Sequence, residues 1–380
     1  MQLKPSLLAF TFLLAAHAQA DDYVAVHYIH YDEGSGRTTI QTPTVELNKD
    51  FGTDYTLNLS AGRDALSGAS PTWYDATSGA SARLPDHAVP ANDIHYGNIP
   101  YDDNRTFVSG ALTTRFENRD ALTVGLDYSS ESDYLSRGVS AEYLHYLDES
   151  KNRSVSVGLS YQKNSVDVHC FLGNTICDAI SGASSKTITK DLDVVNAEIG
   201  LTQILDTQSL IKASLFYNYE SGYLSNPYMR VVRNTTHIVE EAKPNARKGG
   251  GATLTYSRAL TDALSLNLYY RFYHDDWDIT SHTISLSTFY ELNDTLTLGL
   301  AGRYYTQSAA WFYHPGKDHF TDETYASSDR RMGAWDAYDL KVSADIHVSE
   351  TVTIQGAAGY YTQPGTFHSR YLSVGIQYGF

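Results

Sequence analysis

Apolar and polar residues alternate with a period of two along most of the chain from Tyr23 to Phe380. Successive side chains of a β-strand point to opposite faces, so this pattern predicts strands with one apolar face and one polar face. A strand of a membrane barrel needs that combination, because lipid lies outside and the lumen inside. The last segment shows it best, with one row of Leu372, Val374, Ile376, Tyr378 and Phe380 against a second row of Tyr371, Ser373, Gly375, Gln377 and Gly379.

Other segments repeat the alternation and place charges in the polar row. In residues 338–348, Asp339, Lys341 and Asp345 alternate with apolar residues, and residues 264–273 and 296–301 follow the same period. Charges of both signs would be costly in the dry core of a soluble β-sandwich, whereas they suit a lumen that holds water or a polar plug. We therefore favour an all-β transmembrane antiparallel barrel over a soluble sandwich.

The connections between the predicted strands alternate between short turns and longer loops. Short turns are expected near residues 49–54, 117–120, 148–152, 206–208, 261–262, 293–294 and 349–350. Long loops are expected near 65–104, 168–190, 220–246 and 309–333, and shorter connections at 33–37, 129–134, 274–280 and 362–366. Because such barrels place short turns in the periplasm and long loops outside, the pattern orients the molecule. It predicts about sixteen strands, with 14–18 as the range, in a single domain of residues 21–380.

The first twenty residues predict export. Lys4 is followed by a short apolar run and then by Ala18, Gln19 and Ala20, which is the small-x-small pattern of a signal-peptide cleavage site. The run is too short to span a bilayer. We expect cleavage after Ala20, insertion by the barrel assembly machinery and a final place in the lipid of a bacterial outer membrane. The terminal Phe380 resembles the C-terminal signal that this machinery recognises.

The net charge and the two cysteines bear on the expected partners, disulfides and metal sites. The net charge of −16 would repel a phosphate backbone, so nucleic acid is not an expected partner. The two cysteines, Cys170 and Cys177, lie close together in a chain predicted to be exported. A disulfide that closes a small loop is therefore expected, and no metal site is.

A seven-residue pattern, Asp-Ala-x-Ser-Gly-Ala-Ser, occurs at 64–70, 75–81 and 178–184. Ser, Gly and Asp are common in turns, so loop composition is one explanation. Turn formation alone would not fix Asp at the first position, Ala at the sixth and Ser at the seventh in every copy. The matching residues are Asp64, Ser67, Gly68, Ala69 and Ser70; Asp75, Ser78, Gly79, Ala80 and Ser81; and Asp178, Ser181, Gly182, Ala183 and Ser184.

The pattern resembles the D-x-x-[ST]-G-A-[ST] motif recognised by the periplasmic FAD:protein FMN transferase. In substrates of that enzyme the seventh residue receives FMN through a phosphoester. The resemblance implies up to three covalent FMN groups, on Ser70, Ser81 and Ser184. It makes this chain a partner and substrate of the transferase and not itself the catalyst.

The whole chain also resembles an uncharacterised family of predicted outer-membrane barrels that is associated with flavin transferases. The segments that carry this second resemblance are Ser67–Pro71, Tyr273–Trp277 with Ser281–Thr283, and Arg303–Gln307. The function of that family is itself not established.

Other polar groups do not assemble into a predicted active site. His274, Asp275, Asp276 and Asp278 could ligate a metal, but acidic loop tips are more often simply solvated. No G-x-S-x-G pattern is present, and an enzyme is less expected than a redox carrier or channel.

The sequence leaves three functional hypotheses. The first is a redox module whose loops carry covalent FMN and pass electrons between unknown partners. Trp73 and Tyr74 could then stack on the flavin rings, or they could be ordinary loop or interfacial aromatics. The second hypothesis is a passive porin or specific transporter without flavin, and the third is a structural or surface-interaction barrel.

Overall fold

The chain folds into a closed barrel of sixteen antiparallel strands, and the predicted fold class and strand number are confirmed. The computed structural model describes residues 22–34, 37–75, 88–171, 185–314, 319–365 and 367–380, without the side chains at 69–71, 75, 98–100, 169–171 and 185–186. The strands are β1 Tyr23–Glu33, β2 Thr38–Phe51, β3 Tyr55–Asp75, β4 Ile94–Arg115, β5 Ala121–Ser130, β6 Tyr134–Tyr146, β7 Arg153–Phe171, β8 Ser185–Asp206, β9 Ser209–Gly222, β10 Arg230–Arg233, β11 His237–Glu240, β12 Ala246–Ala259, β13 Leu264–Asp275, β14 Thr280–Asn293, β15 Leu296–Gln307, β16 His319–Phe320, β17 Trp335–His347, β18 Val352–Gln363 and β19 Phe367–Gly379. Two short 3-10 helices occupy Ala91–Asp93 and Arg330–Met332.

The barrel closes by pairing its first strand with its last. The antiparallel register of β1 and β19 runs from Tyr23 opposite Gly379 to Glu33 opposite Ser369. Each remaining barrel strand pairs with its neighbour in the chain, apart from the small strands β10, β11 and β16. These three form a separate sheet in the order β11-β10-β16. Closure leaves no open sheet edge in the barrel.

The period-two pattern translates directly into an outer and an inner face. On β19, Leu372, Val374 and Ile376 are exposed on the outer surface, whereas Ser373 and Gln377 are buried on the lumen side. The same division holds on β17, where Leu340 and Val342 are exposed outside. The outer face therefore presents apolar side chains to lipid and the inner face small or polar ones to the lumen. No helix in the described part of the chain has the length and apolarity that a bilayer crossing needs.

The two ends of the barrel differ as predicted. All the predicted short turns and both described chain ends lie at one end, here called the turn end, and the long connections lie at the other, the loop end. The connections after Gly222 and after Gln307 begin and end within three residues of the predicted loops 220–246 and 309–333.

Two predicted loops are shorter than expected. β3 and β4 stay paired up to Asp75 opposite Ile94, so most of the predicted loop 65–104 is an extended hairpin. β7 and β8 likewise stay paired up to Phe171 opposite Ser185, inside the predicted loop 168–190. In residues 65–75 the pairing continues although Ser, Gly, Pro and Asp are typical of loops.

We expect the substitution Phe380→Asn to lower the yield of folded barrel. The backbone N–H of Phe380 donates to the carbonyl oxygen of Asp22 at 3.1 Å, and its ring lies 4.9 Å from Lys49 Nζ, so the residue ties β19 to the start of β1. The measurement is the fraction of heat-modifiable protein in the membrane fraction. The matched control is Phe51→Asn, an equally exposed ring at the same end. Equal yields for both variants would contradict a special role for the terminal ring.

Candidate functional site at the loop end

The first copy of the repeat lies within strand β3, and two of its residues have structural roles there. Asp64 is buried and accepts hydrogen bonds from Thr42 Oγ1 at 2.7 Å and from Arg105 Nε at 2.6 Å. A side chain at Gly68 would place its Cβ 1.8 Å from the carbonyl oxygen of Arg37. Glycine is therefore required where β3 passes the end of β2. Ser67 is exposed, and Ser70 lies opposite Ile99 in the β3–β4 register.

The other two copies lie almost wholly outside the described residues. The second copy starts at Asp75, the last residue of β3, and the third lies between Phe171 and Ser185, the facing ends of β7 and β8. The second and third copies thus belong to connections of the loop end, whereas the first lies in the part of β3 that leads to that end. The positions outside the described residues are Ser78, Gly79, Ala80, Ser81, Asp178, Ser181, Gly182, Ala183 and Ser184, with the side chains of Ala69, Ser70 and Asp75. Cys177 and the side chain of Cys170 also fall outside, so their disulfide stays a prediction.

Two long connections fold together at the loop end. We call them the crossing unit: residues 223–245, between β9 and β12, and residues 308–314 and 319–334, between β15 and β17. The crossing unit contains the sheet β11-β10-β16. Ala242 and Ala326 exchange two backbone hydrogen bonds of 2.8 and 2.9 Å. Val231, Phe320 and Ala326 pack into a buried apolar cluster between the two connections.

The crossing unit reaches the wall formed by β3 to β6. Thr72 Oγ1 on β3 donates to the carbonyl oxygen of Tyr228 at 3.2 Å, and Arg230 Nη1 donates to that of Trp73 at 3.2 Å. The Tyr228 hydroxyl also donates to a carboxylate oxygen of Asp133, between β5 and β6. β3 lies six strands around the ring from β9, where this connection begins. The chain must therefore pass over the opening of the barrel.

The opposite wall holds the crossing unit through an apolar cluster. Trp277, between β13 and β14, is almost fully buried against Phe312 at a centroid distance of 5.1 Å. β13 and β14 lie eight strands from β3 and β4, which is half of the ring. The members of the cluster are Leu192, Leu224, Trp277, Ile279, Ala310, Phe312 and Met332. The crossing unit is thus attached at opposite sides of the opening.

Asp275 organises this wall and is not a solvated loop-tip carboxylate. Its Oδ1 accepts from the backbone N–H groups of Trp277 and Ile279 at 3.0 Å each, and its Oδ2 accepts from Arg247 Nε at 2.7 Å. Its neighbours His274, Asp276 and Asp278 are exposed. The sequence could not show which of these acids was the structural one, because the choice depends on Arg247 on β12.

A buried charged group joins the two connections of the crossing unit. Lys243 Nζ lies 2.8 Å from Glu241 Oε1 on its own connection and 2.9 Å from Asp329 Oδ2 on the other. All three side chains are at least nine-tenths buried. Arg331 Nη2 lies 2.7 Å from Asp329 Oδ2, and the Ser327 hydroxyl donates to Glu241 Oε2 at 2.6 Å. Sequence reasoning did not single out any of these residues.

The charged forms of Lys243 and Asp329 are favoured by their neighbours. Burial alone would lower the pKa of Lys243, but the carboxylates of Asp329 and Glu241 outweigh it and hold that pKa above its ordinary value. Burial opposes ionisation of Asp329 as well, yet Arg331 and Lys243 hold its pKa far below the usual range. The ions stabilise one another in an environment that would reject any of them alone.

Three carboxylates gather where Tyr228 meets the wall. Oxygen atoms of Asp103, Glu131 and Asp133 lie within 4.8 Å of one another, and an oxygen-only set suits a hard cation such as calcium. Asp133 already accepts the Tyr228 hydroxyl. Burial raises the pKa of Glu131 to about 7. Protonation of Glu131 near neutral pH can therefore reduce the repulsion among the three carboxylates.

The aromatic residues beside the repeat pack within the protein. The ring of Trp73 meets those of Tyr96 and His319 edge-on, each at a centroid distance of 5.3 Å. Tyr74 lies 6.2 Å from the ring of His95. Trp73 thus connects the β3–β4 hairpin to the crossing unit. This contact agrees with the alternative that Trp73 is an ordinary loop aromatic.

Comparison with solved structures shows the same architecture in distant proteins. The chain matches a "Bacterial polysaccharide outer membrane secretin" with a TM-score of 0.50 and 7% identity, over 96% of this chain and 100% of that one. The CymD monoaromatic hydrocarbon channel matches with a TM-score of 0.44 and 8% identity, over 95% and 89% of the two chains. CdiB from Acinetobacter baumannii matches with a TM-score of 0.45 and 9% identity, over 95% of this chain and 61% of that one.

The sequence comparisons point to one family. No curated protein matches the chain. The family described as "Protein of unknown function (DUF3570)" matches residues 8–373.

We expect Asp275→Ala to destabilise the loop end by about 3–5 kcal/mol, because it leaves the buried guanidinium of Arg247 without its carboxylate. Proteolysis of the folded barrel, followed over increasing temperature, measures the loss. The control is Asp276→Ala, which removes a neighbouring exposed acid and its hydrogen bond from the backbone N–H of Lys248 and should cost about 1 kcal/mol. Similar losses in both variants would refute the role given to Asp275.

Proposed function

Because the chain belongs to the DUF3570 family, whose function is unknown, its activity must be argued from its own residues. We propose that it is an outer-membrane β-barrel that carries FMN covalently on Ser70, Ser81 and Ser184. In this proposal the flavins take part in extracytoplasmic electron transfer. The flavin supplies the redox chemistry, and the protein supplies placement and electrostatics.

The observation that carries the proposal is the repeat itself, which is present three times, once in β3 and twice in the connections that follow β3 and β7. Asp64 and Gly68 have structural roles in the first copy, which explains two of its positions without flavin. Those roles depend on Arg105 and Arg37, at one place in the barrel. They give no reason for the same seven-residue pattern to return at residues 75 and 178.

Attachment is a transfer of FMN from FAD to a hydroxyl. The serine oxygen forms a bond to the FMN phosphorus, the bond from that phosphorus to the AMP part breaks, and AMP leaves while the serine proton passes to a base. A metal ion in the transferase would neutralise the phosphate charge. This chain contributes the hydroxyl and a backbone with small residues around it.

The pairing of Ser70 with Ile99 bears on the order of events. In the folded barrel the motif is paired with β2 and β4 up to Gly68 and with β4 beyond it, so it cannot enter the cleft of an enzyme as a single extended segment. The transferase works in the periplasm, whereas the loop end faces outside in the orientation expected for such barrels. Both constraints support modification of the unfolded chain before the assembly machinery inserts it.

An outer-membrane place is supported by the closed barrel and its apolar outer face. Every backbone group of a strand inside lipid needs a partner, and closure provides one. The exposed outer rows, such as Leu372, Val374 and Ile376, then contact lipid. The amino-terminal signal expected from Lys4 to Ala20 agrees with export.

A channel or transporter without flavin is the second candidate, and the polar lumen favours it. Ser214, Thr353 and Gln377 are among the buried polar residues of the inner wall. The crossing unit passes over the opening at the loop end, which argues against a passive porin that is always open. A transporter in this form would need a step that moves the crossing unit.

Co-expression with the transferase, followed by intact-mass measurement, tests the flavin proposal. We expect one FMN mass to be lost in each of Ser70→Ala, Ser81→Ala and Ser184→Ala, with the barrel still folded. Ser185→Ala is a matched control, since it changes the residue beside an acceptor and should keep every FMN. A wild type that never acquires flavin, or a triple variant that retains it, would leave the transporter as the better proposal.

A further inference from the structure

We propose that the crossing unit is a gate over the lumen, and that Lys243 is the latch that holds its two connections together. The gate opens when residues 223–245 part from residues 308–314 and 319–334 of the other connection. The solutes admitted would be small and hydrophilic, because the described inner wall is largely polar. The inference concerns passage through the barrel and does not depend on whether flavin is attached.

The position of the crossing unit makes it an obstacle to passage. One of its attachments is to Thr72 and Trp73 on β3, and another is to Trp277 beside β13. Since β3 and β13 are half a ring apart, chain that reaches both must lie over the opening. Moving it aside would clear a path along the barrel axis.

The seam between the two connections is short. It includes the sheet pairing of β10 with β16, the paired backbone groups of Ala242 and Ala326, and the charged contacts of Lys243. The buried cluster of Val231, Phe320 and Ala326 and the hydrogen bonds from Ser327 to Glu241 and from Ser328 to the carbonyl oxygen of Arg230 also cross it. β10 and β16 pair over only two positions, Val232 with His319 and Arg233 with Phe320. Each connection is continuous with its own barrel strands, so the two can separate while the barrel stays closed.

Lys243 is the group on which the seam depends most. It is the cation that contacts a carboxylate from each connection, Glu241 from one and Asp329 from the other. Without the ammonium, Glu241 would stay buried with only hydrogen bonds from Asn226 and Ser327. Asp329 would keep Arg331, but a buried carboxylate that has lost its cation, as Glu241 would, is strongly unfavourable, and parting of the seam would return it to water.

Single-barrel conductance in planar bilayers tests the gate with the full-length protein made without the transferase. We expect the wild type to be mainly closed and Lys243→Met to conduct severalfold more, because methionine keeps the length of the side chain and removes its charge. The control is Lys163→Met. Lys163 pairs with Asp191 at 3.8 Å, and both side chains are more than half exposed, so its loss should leave the conductance unchanged.

A reversible staple tests whether the connections part at the predicted seam. Ala242 and Ala326 form a hydrogen-bonded antiparallel pair, whose Cα atoms lie at about 5.5 Å, within the range that a disulfide spans. We expect Ala242→Cys with Ala326→Cys to close the Lys243→Met barrel when oxidised and to reopen it when reduced. Cys170→Ser and Cys177→Ser in the same protein prevent mispairing.

The outcomes separate clearly, provided that each variant is first shown to be heat-modifiable. A Lys243→Met barrel that is folded and as closed as the wild type would overturn the latch. If the raised conductance of the Lys243→Met barrel is unchanged when the disulfide between residues 242 and 326 is oxidised, the connections do not part at the proposed seam. A wild type that conducts as a steadily open pore would overturn the gate, whereas failure of flavin attachment would affect none of these readings.

Discussion

The structure depends on one constraint, the pairing of every backbone N–H and C=O group of strands that lie in lipid. Hydrocarbon offers no replacement for a missing partner, so a sheet there must close on itself. The contact that meets this requirement is the register from Tyr23 opposite Gly379 to Glu33 opposite Ser369. Once the sheet is closed, each side chain must face either lipid or lumen, which is why the sequence alternates so regularly. Closure also fixes which connections share an end, and it thereby brings all three copies of the repeat towards the loop end.

The sequence predicted the barrel well because the relevant information is local. On β19 the alternation of Leu372, Val374 and Ile376 with Ser373 and Gln377 identifies the two faces within one strand. The short turns were found for the same reason, since Asp206 and Asn293 are turn formers at fixed offsets from apolar rows. Local composition failed for residues 65–75, where Ser, Gly and Asp suggested a loop. There β4 supplies a partner for each residue up to Asp75, and pairing across strands outweighs the weak preferences of single residues.

The crossing unit could not be read from the sequence for the opposite reason. Glu241 and Ser327 are 86 residues apart, and nothing near either one shows that they share a hydrogen bond. Lys243 would pass for an ordinary surface lysine until Asp329 is brought beside it. Asp275 differs from Asp276 only through Arg247, a residue of another strand. Roles of this kind are set by tertiary neighbours. The sequence therefore predicts the barrel but not the long-range contacts that hold its loops together.

The repeat is visible in the sequence, like the barrel strands, but its structural contacts are long-range, like those of the crossing unit. In the first copy, Asp64 binds Arg105 and Thr42 inside the barrel, and Gly68 allows close approach to Arg37, so two of its positions serve the fold. If the fold were the whole explanation, the other copies would need equivalent neighbours. The neighbours of the first copy, Thr42, Arg105 and Arg37, are single residues at one place in the barrel and are already engaged by that copy. A pattern that occurs three times along the chain is better explained by an enzyme that recognises the unfolded chain. An enzyme acting before the barrel closes would do so, and the structural contacts of the first copy would then form afterwards around a segment already modified.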